Sequence, residues 1–583
     1  MSRPLAVAGL LIMLLAASCA TVAPRQAIVE DPIFDFDRIM NDPLDAKVLS
    51  TAEAEGVVVE EVEYTAGVWN GKAARIYGIL AYPKGGRNLP AVFWSQGGMY
   101  PAGDYWPKVF AKKGYFALNV TLPHDVYNSF ARFTTEDAKH GNLTGLAIAQ
   151  MRGITYMTQR PEVDEKRIGV GGTSYGGLFS SLIAGADPRV KAGMSFFTTG
   201  NHYLGTNYPQ FTQLRTTDEV GIWRGTIDPA WRLRQKKVAF LWGIAANDHW
   251  HYLPAAVQTY KDSIGEKRMA IVPNWAHALP VNVDQMLIDW FDVYLTKTRK
   301  PYNQPGEMTA KNVDGKLIAS WDWTGDNLIT KAELVVSYGA VRPWHCWVYR
   351  YHYVIPAKID GRSASAEIPV FEPGFELLAY GNITDERGVV TSTIPIAVQP
   401  DKLGITDPTA KQNFSTVLVT DFSPEEMVFL ERHGTPVPGK PDTNEKQGGA
   451  QSLRVDDPKA VVSMKLGHVP EHGHRLTLWL KADRPATIQV KVVGAPPANW
   501  GWPIVDMLRR QYAGTPDIKP EDIVLPVFTL DAGVDTEWRE FALDCPFDGM
   551  PVEGYNLVIS QAAGGEAVYW IDTIGFEPRW KAN

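Results

Sequence analysis

A serine in Gly172-Thr173-Ser174-Tyr175-Gly176 becomes a nucleophile only if the chain supplies a sharp turn and a neighbouring base. The five residues follow an apolar run expected as a strand over 167–170 and lead into a helical stretch over 178–184. Small flanking residues let the serine take the strained backbone of a strand-to-helix turn. The helix start then aims positive partial charge and the Tyr175 N–H at a developing oxyanion. An acid and a base should follow in that order. Asp248 lies beyond the strand expected over 238–242, after the turn at 243–247. His277 lies beyond the next strand, 269–272, in Pro273-Asn274-Trp275-Ala276-His277-Ala278. Residues leaving the C-terminal ends of consecutive strands reach one site above a parallel sheet. There Asp248 would orient His277, and His277 would take the Ser174 proton and return it to the leaving group. The chemistry of such a set is acyl transfer. A second oxyanion donor is expected from Gln96-Gly97-Gly98-Met99, with the Gly98 N–H chosen and Met99 its neighbour.

Blander roles exist for the same residues. Asn-Asp pairs favour turns, so Asp248 could be a turn or cap carboxylate, and His277 a loop histidine. His249 and His251 compete as the base, but they share the acid's loop and do not follow the next strand. As a metal pair they lack a third ligand at a recognisable offset, so neither metal nor cofactor is expected. The long span 198–236 holds Tyr203, Tyr208, Phe211 and Trp223. Tyr203, Tyr208 and Trp223 are the pocket-lining candidates; packing of these aromatics over the sheet is the equal alternative.

These residues need a scaffold. Strands are expected over 75–82, 91–95, 115–120, 167–170, 190–197, 238–242 and 269–272, alternating with helical patterns such as Leu143, Ala147, Met151, Ile154 and Met157. Residues 284–295 read as a closing amphipathic helix. The pattern is a mostly parallel, doubly wound sheet over 57–300, preceded by a linker at 20–56. After Lys300 the chain turns β-rich. An immunoglobulin-like sandwich is expected over 301–400 and a second sandwich over 413–583, with a loop at 434–449 inside it. Trp479, Trp500, Trp502 and Trp538 are either sugar-stacking faces or filling for that last sandwich.

The 583 residues call for several cores, and 45% hydrophobic with 21% charged residues is an ordinary globular composition. A net charge of −8 and the lack of a basic run argue against a nucleic-acid partner. Arg3, an apolar stretch over 5–17 and small residues up to Cys19 form an export segment, too short to cross a membrane. Ala16-Ala17-Ser18-Cys19 resembles a bacterial lipobox over residues 1–19, making Cys19 the lipidation candidate; plain secretion with cleavage near Ala20 is the alternative. Both readings export the chain, and the first anchors it to a bacterial membrane by lipid alone. Cys346 and Cys545 fall in different expected domains, so no disulfide framework is expected.

Two stretches carry a family resemblance. Pro161 to Asp164, Arg167 to Val170 and Ser174-Tyr175-Gly176-Gly177 resemble the dienelactone hydrolase, acetylxylan esterase and prolyl oligopeptidase branch of the α/β-hydrolases. Leu241-Trp242-Gly243, Asp248, Tyr252-Leu253-Pro254 and 273–279 look more specifically like the PhoPQ-activated pathogenicity-related proteins. The resemblance covers about 57–300 and implies a triad of Ser174, Asp248 and His277. Gln96 stands where many such esterases have histidine. The C-terminal stretch 568–576 is similar to galactose-binding-like jelly rolls of carbohydrate-active enzymes. The expectation is an exported serine hydrolase of carboxylic esters, acting on a small ester or an acylated polysaccharide. A serine aminopeptidase or dipeptidyl peptidase, and a silent glycan-binding surface protein, are the alternatives.

Overall fold

The run Ala-Phe-Leu-Trp-Gly-Ile-Ala offers no polar face to solvent, and all seven residues are buried in one strand, Ala239–Ala245. A strand of that kind must be covered on both sides. In the computed structural model the described residues are 31–578, apart from 70, 99, 123–133, 207–210, 212–213, 215, 249, 274, 276, 278–282, 339–351, 372, 375, 411–416, 421, 423–437, 467–473, 496–526 and 546–553.

The first nine strands are β1 (Lys47–Ala54), β2 (Val57–Trp69), β3 (Lys72–Pro83), β4 (Leu89–Ser95), β5 (Phe116–Val120), β6 (Val163–Thr173), β7 (Val190–Phe196), β8 (Ala239–Ala245) and β9 (Lys267–Val272). They form one sheet in the order β1-β2-β3-β5-β4-β6-β7-β8-β9. β5 through β9 run parallel, and β1 to β3 add an antiparallel edge. The described helices are α1 (Phe36–Asn41), α2 (Tyr105–Ala111), α3 (Thr135–His140), α4 (Asn142–Thr158), α5 (Tyr175–Ala186), α6 (Thr217–Thr226), α7 (Pro229–Gln235), α8 (Leu253–Asp262) and α9 (Val283–Phe291).

Alternation along the central strands builds two cores. Phe93 of β4 and Phe240 and Trp242 of β8 point into one, with Met151 of α4, Phe179 of α5 and Tyr260 of α8. Val92 and Trp94 of β4 and Leu241 of β8 point into the other, with Phe110 of α2 and Trp290 of α9. The expected closing helix stops at Phe291 and gives way to a π-helical turn, Asp292–Thr296.

The expected linker at 20–56 is corrected from residue 31 onward. Phe34, Phe36, Ile39 and Leu44 are buried in the first core, and β1 extends the sheet. Arg152 of α4 explains the docking: its guanidinium donates to the carbonyls of Ile39, Pro43 and Thr65. Arg232 pairs with Asp31 at the start of the segment. A short helix without strong periodicity leaves little signal in the sequence.

Beyond residue 300, two antiparallel sheets span Gln304–Pro305 to Ile396–Val398 and share a core that includes Trp321, Leu334 and Ile383. Two more span Val417–Thr420 to Tyr569–Pro578 around an aliphatic core. No tryptophan belongs to that last core among the described residues, and Trp479 and Trp538 are half-buried outside it. Trp500, Trp502 and Cys346 lie outside the described residues, whereas Cys545 is buried as a free thiol. Within the expected loop at 434–449, Lys440–Asp442 pairs as a strand with Ser452–Val455.

The first sandwich also caps the sheet. β9 is an edge strand, which leaves backbone groups unpaired. Ser392 Oγ accepts from Ile271 N at 2.8 Å, Asn382 Nδ2 donates to Ile271 O at 3.1 Å, and Ser392 Oγ donates to Asn382 Oδ1 at 2.6 Å. Val335, Leu378 and Tyr380 of the sandwich sit in the first core. The strand that leads to His277 is thereby held from both sides.

Candidate active site

Ser174 sits between β6 and α5 with φ 54° and ψ −122°, a backbone state that is costly for a non-glycine residue. The turn is fixed from both sides. Ser174 N donates to Phe196 O at 2.9 Å, and Leu178 N and the Thr198 hydroxyl both donate to Ser174 O. Packing dictates the two glycines of the motif. A Cβ on Gly172 would lie 2.5 Å from Gly176 O, and a Cβ on Gly176 would strike the Ser95 carbonyl.

Asp248 and His277 arrive where the strand order places them. Asp248 follows the end of β8, 1% exposed, and His277 follows the end of β9 with its side chain 12% exposed. His277 Nε2 is 2.6 Å from Ser174 Oγ, and His277 Nδ1 is 2.8 Å from Asp248 Oδ2. The other carboxylate oxygen, Oδ1, accepts from Trp250 N at 2.7 Å and His251 N at 3.0 Å. Asn247 N donates to Trp275 O at 3.0 Å, tying the acid's loop to the base's loop. With Oδ1 occupied by backbone donors, Oδ2 is left to accept the Nδ1 proton, which leaves Nε2 as the base toward serine.

Tyr175 is the first residue of α5, its ring edge-on to Phe179 at 4.8 Å. In the loop after β4, Gly97 abuts the nucleophile: a Cβ there would lie 3.5 Å from Ser174 Cβ. Gly98 follows at φ 58°, beside the Tyr100 ring. Met99, His249 and Tyr208 lie outside the described residues, as does Cys19.

One pocket expectation is corrected. Trp223 is fully buried, donates Nε1–H to His202 Nδ1 at 3.2 Å, and meets Phe211 edge-on, so it is core and lines no pocket. Tyr203 is half-buried, with the Arg224 guanidinium 4.0 Å from its ring centroid.

Phe197 and His202, near the site, were not singled out in the sequence, whereas His251 was weighed there as a competing base. Phe197, at φ 57°, lies 5.4 Å from the His277 ring. His251 lies 6.4 Å from His277 and 5.6 Å from His202. His202 is buried, and burial pulls its imidazole down to about 3, so it stays neutral at ordinary pH. A buried aromatic neighbour leaves no periodic signal in a loop.

The chain is 31% identical over 170 residues to the acetyl esterase Axe7A of Xylanibacter ruminicola, covering 24% of this chain. It spans 38% of the length of that relative. No family model matches. Among solved structures, an acetyl xylan esterase from Paenibacillus sp. R4 aligns over 44% of this chain and 92% of its own, at TM-score 0.39 and 19% identity. Acetyl Xylan Esterase 1 from Thermoanaerobacterium sp. aligns over 45% and 94%, at TM-score 0.36 and 18% identity. The sheet order, the strained serine turn and the acid and base beyond consecutive strands make this region an α/β-hydrolase fold, similar in sequence to an acetyl esterase.

Proposed function

We propose that the chain is a serine hydrolase of carboxylic esters, with Ser174 as nucleophile, His277 as base and Asp248 as its orienting acid. The observation that carries this is the unbroken line from Ser174 Oγ through His277 to Asp248, at the start of α5. Ser174 Oγ attacks the ester carbonyl carbon while its proton passes to His277 Nε2. The oxyanion takes hydrogen bonds from the Tyr175 N–H and from a backbone N–H of the Gly97–Gly98 turn. Collapse expels the alcohol, which leaves with the His277 proton, and an acyl-serine remains. Water then gives its proton to His277 and attacks the acyl carbon; the acid departs and Ser174 recovers its proton.

Within that reading the substrate is an acetylated polysaccharide. Similarity to an acetyl esterase favours it, as do the two appended β-sandwiches, read as immunoglobulin-like and jelly-roll modules. Export by the N-terminal segment, with Cys19 as the lipid anchor, places the enzyme where such polymers lie. A panel of p-nitrophenyl acetate, longer acyl esters, acetylated xylan and aminoacyl p-nitroanilides tests the reading. It expects turnover of acetyl esters and acetate release from polymer. Turnover of the anilides alone would assign a peptidase instead.

A further inference from the structure

Asp228, a buried carboxylate outside the triad, borders a pocket. The pocket has a volume of about 250 Å³ and lies where α6, α7 and the turn after β7 meet, lined by Asn201, Gly221, Arg224, Asp228, Trp231 and Arg234. Asp228 is 2% exposed. Its Oδ1 accepts from Asn201 N at 2.9 Å and Ala230 N at 2.8 Å, while Oδ2 has no hydrogen-bond partner among the described residues. Oδ2 faces inward, 3.7 Å from His202 Nδ1, so Asp228 holds the turn at Asn201 that shapes the pocket.

The rest of the lining specifies what the pocket takes. Arg224 and Arg234 are exposed at the pocket's edge. Arg234 is held by Asp262 at 2.6 Å, and the same Asp262 oxygen receives Asn201 Nδ2 at 3.0 Å. Arg224 rests on Tyr203 and forms no ion pair among the described residues, so its guanidinium is available to a ligand carboxylate. Trp231 supplies an aromatic wall. Gly221 and Gly225 are one turn apart on α6, and a Cβ on either meets nothing within 4 Å. That helix face is flat and open, with the concave mix of aromatic surface and a few polar groups that suits a small ligand.

We infer that this pocket binds a uronate sugar residue, its carboxylate on Arg224 and Arg234 and its ring against Trp231. Under the proposed function it is an accessory subsite for an acidic glycan, separate from Ser174. Binding requires no turnover, so it stands or falls independently of the esterase reading.

Isothermal titration of the full chain with sodium D-glucuronate tests it, with methyl glucoside and sodium acetate as companions. Glucuronate should bind saturably with a Kd on the order of 1 mM, and each companion about ten-fold more weakly or worse. Gly225→Leu fills the pocket from a position with open space, and Arg224→Gln removes one charge. Each should weaken glucuronate by about ten-fold or more, with the circular dichroism spectrum unchanged. No saturable heat from glucuronate overturns the inference, as does wild-type affinity in Gly225→Leu. Equal binding of acetate would leave an anion site only, and equal binding of the glucoside would remove the role of the arginines; either result overturns the assignment to a uronate.

Discussion

Asp248 and Asp228 are the same residue in nearly the same situation. Each is almost fully buried, each gives Oδ1 to two backbone N–H groups, and each turns Oδ2 toward the Nδ1 of a histidine. The outcomes differ because the histidines differ. His277 Nδ1 lies 2.8 Å from Asp248 with Nε2 engaged by Ser174, so its Nδ1 carries a proton to give. His202 Nδ1 already accepts from Trp223 Nε1 and lies 3.7 Å from Asp228, with no proton to offer. Burial without that donor pushes the Asp228 carboxyl up to about 6. An aspartate beside a histidine is therefore half of a catalytic pair only when the tautomer agrees, and the tautomer is set by the far side of the ring.

The largest effects fall on the Asp248 side. Ser174→Ala and His277→Ala should each lower kcat on an acetyl ester by about 10⁴-fold or more, because the triad acts as a unit. Asp248→Asn should lower it by about 10³-fold, since the amide cannot hold the Nδ1–H tautomer. Steady-state kinetics with active-site titration checks both. Equal kcat for Asp248→Asn and wild type would erase the distinction between the two aspartates.

On the other side the effect is on stability. Folded Asp228 keeps its proton up to about pH 6, whereas in the unfolded chain it ionises near the ordinary aspartate value of about 3.8. Folding stability from this group is thus present below the unfolded value and lost as pH rises through about 6. Asp228→Asn keeps the Oδ1 acceptor and removes the ionisation, so at pH 8 it should stabilise by up to about 3 kcal/mol, with the gain fading toward pH 4. Urea unfolding at both pH values measures it. A gain independent of pH would place the cause in packing.

Smaller still, Trp223→Phe removes the donor to His202 Nδ1 and lets that nitrogen carry a proton toward Asp228. The pH-dependent part of the Asp228→Asn gain should then shrink by about 1 kcal/mol in the double variant. Ser392→Ala, which strips the acceptor from Ile271 N at the β9 edge, should destabilise by about 1–2 kcal/mol while leaving the Asp228 pH response unchanged.

The sequence made one of these aspartates legible and hid the other. Asp248 and His277 each follow a buried strand of the sheet, a position that strand runs and chain order reveal. Gly172 and Gly176 flank the serine in a string with a known steric cause. Asp228, before Pro229, is the N-cap of α7, and no sequence pattern singles it out. Its second role depends on His202 and Trp223, brought together from separate turns, and no local pattern records that. The pocket and packing readings of Trp223 stay unseparated in sequence for the same reason: an aromatic in a long connection looks alike in a lid and in a core. The N-terminal segment 31–56 was missed because Arg152, which anchors it, lies about a hundred residues away on α4.

Under the proposed function, the geometry at Ser174 makes a reactive nucleophile. Incubation of the full chain with a fluorophosphonate, followed by intact-mass and peptide mapping, tests it most directly. One adduct is expected, on Ser174, formed much more slowly in His277→Ala and absent in Ser174→Ala. An adduct that persists in Ser174→Ala, or one that forms as fast without His277, would contradict it.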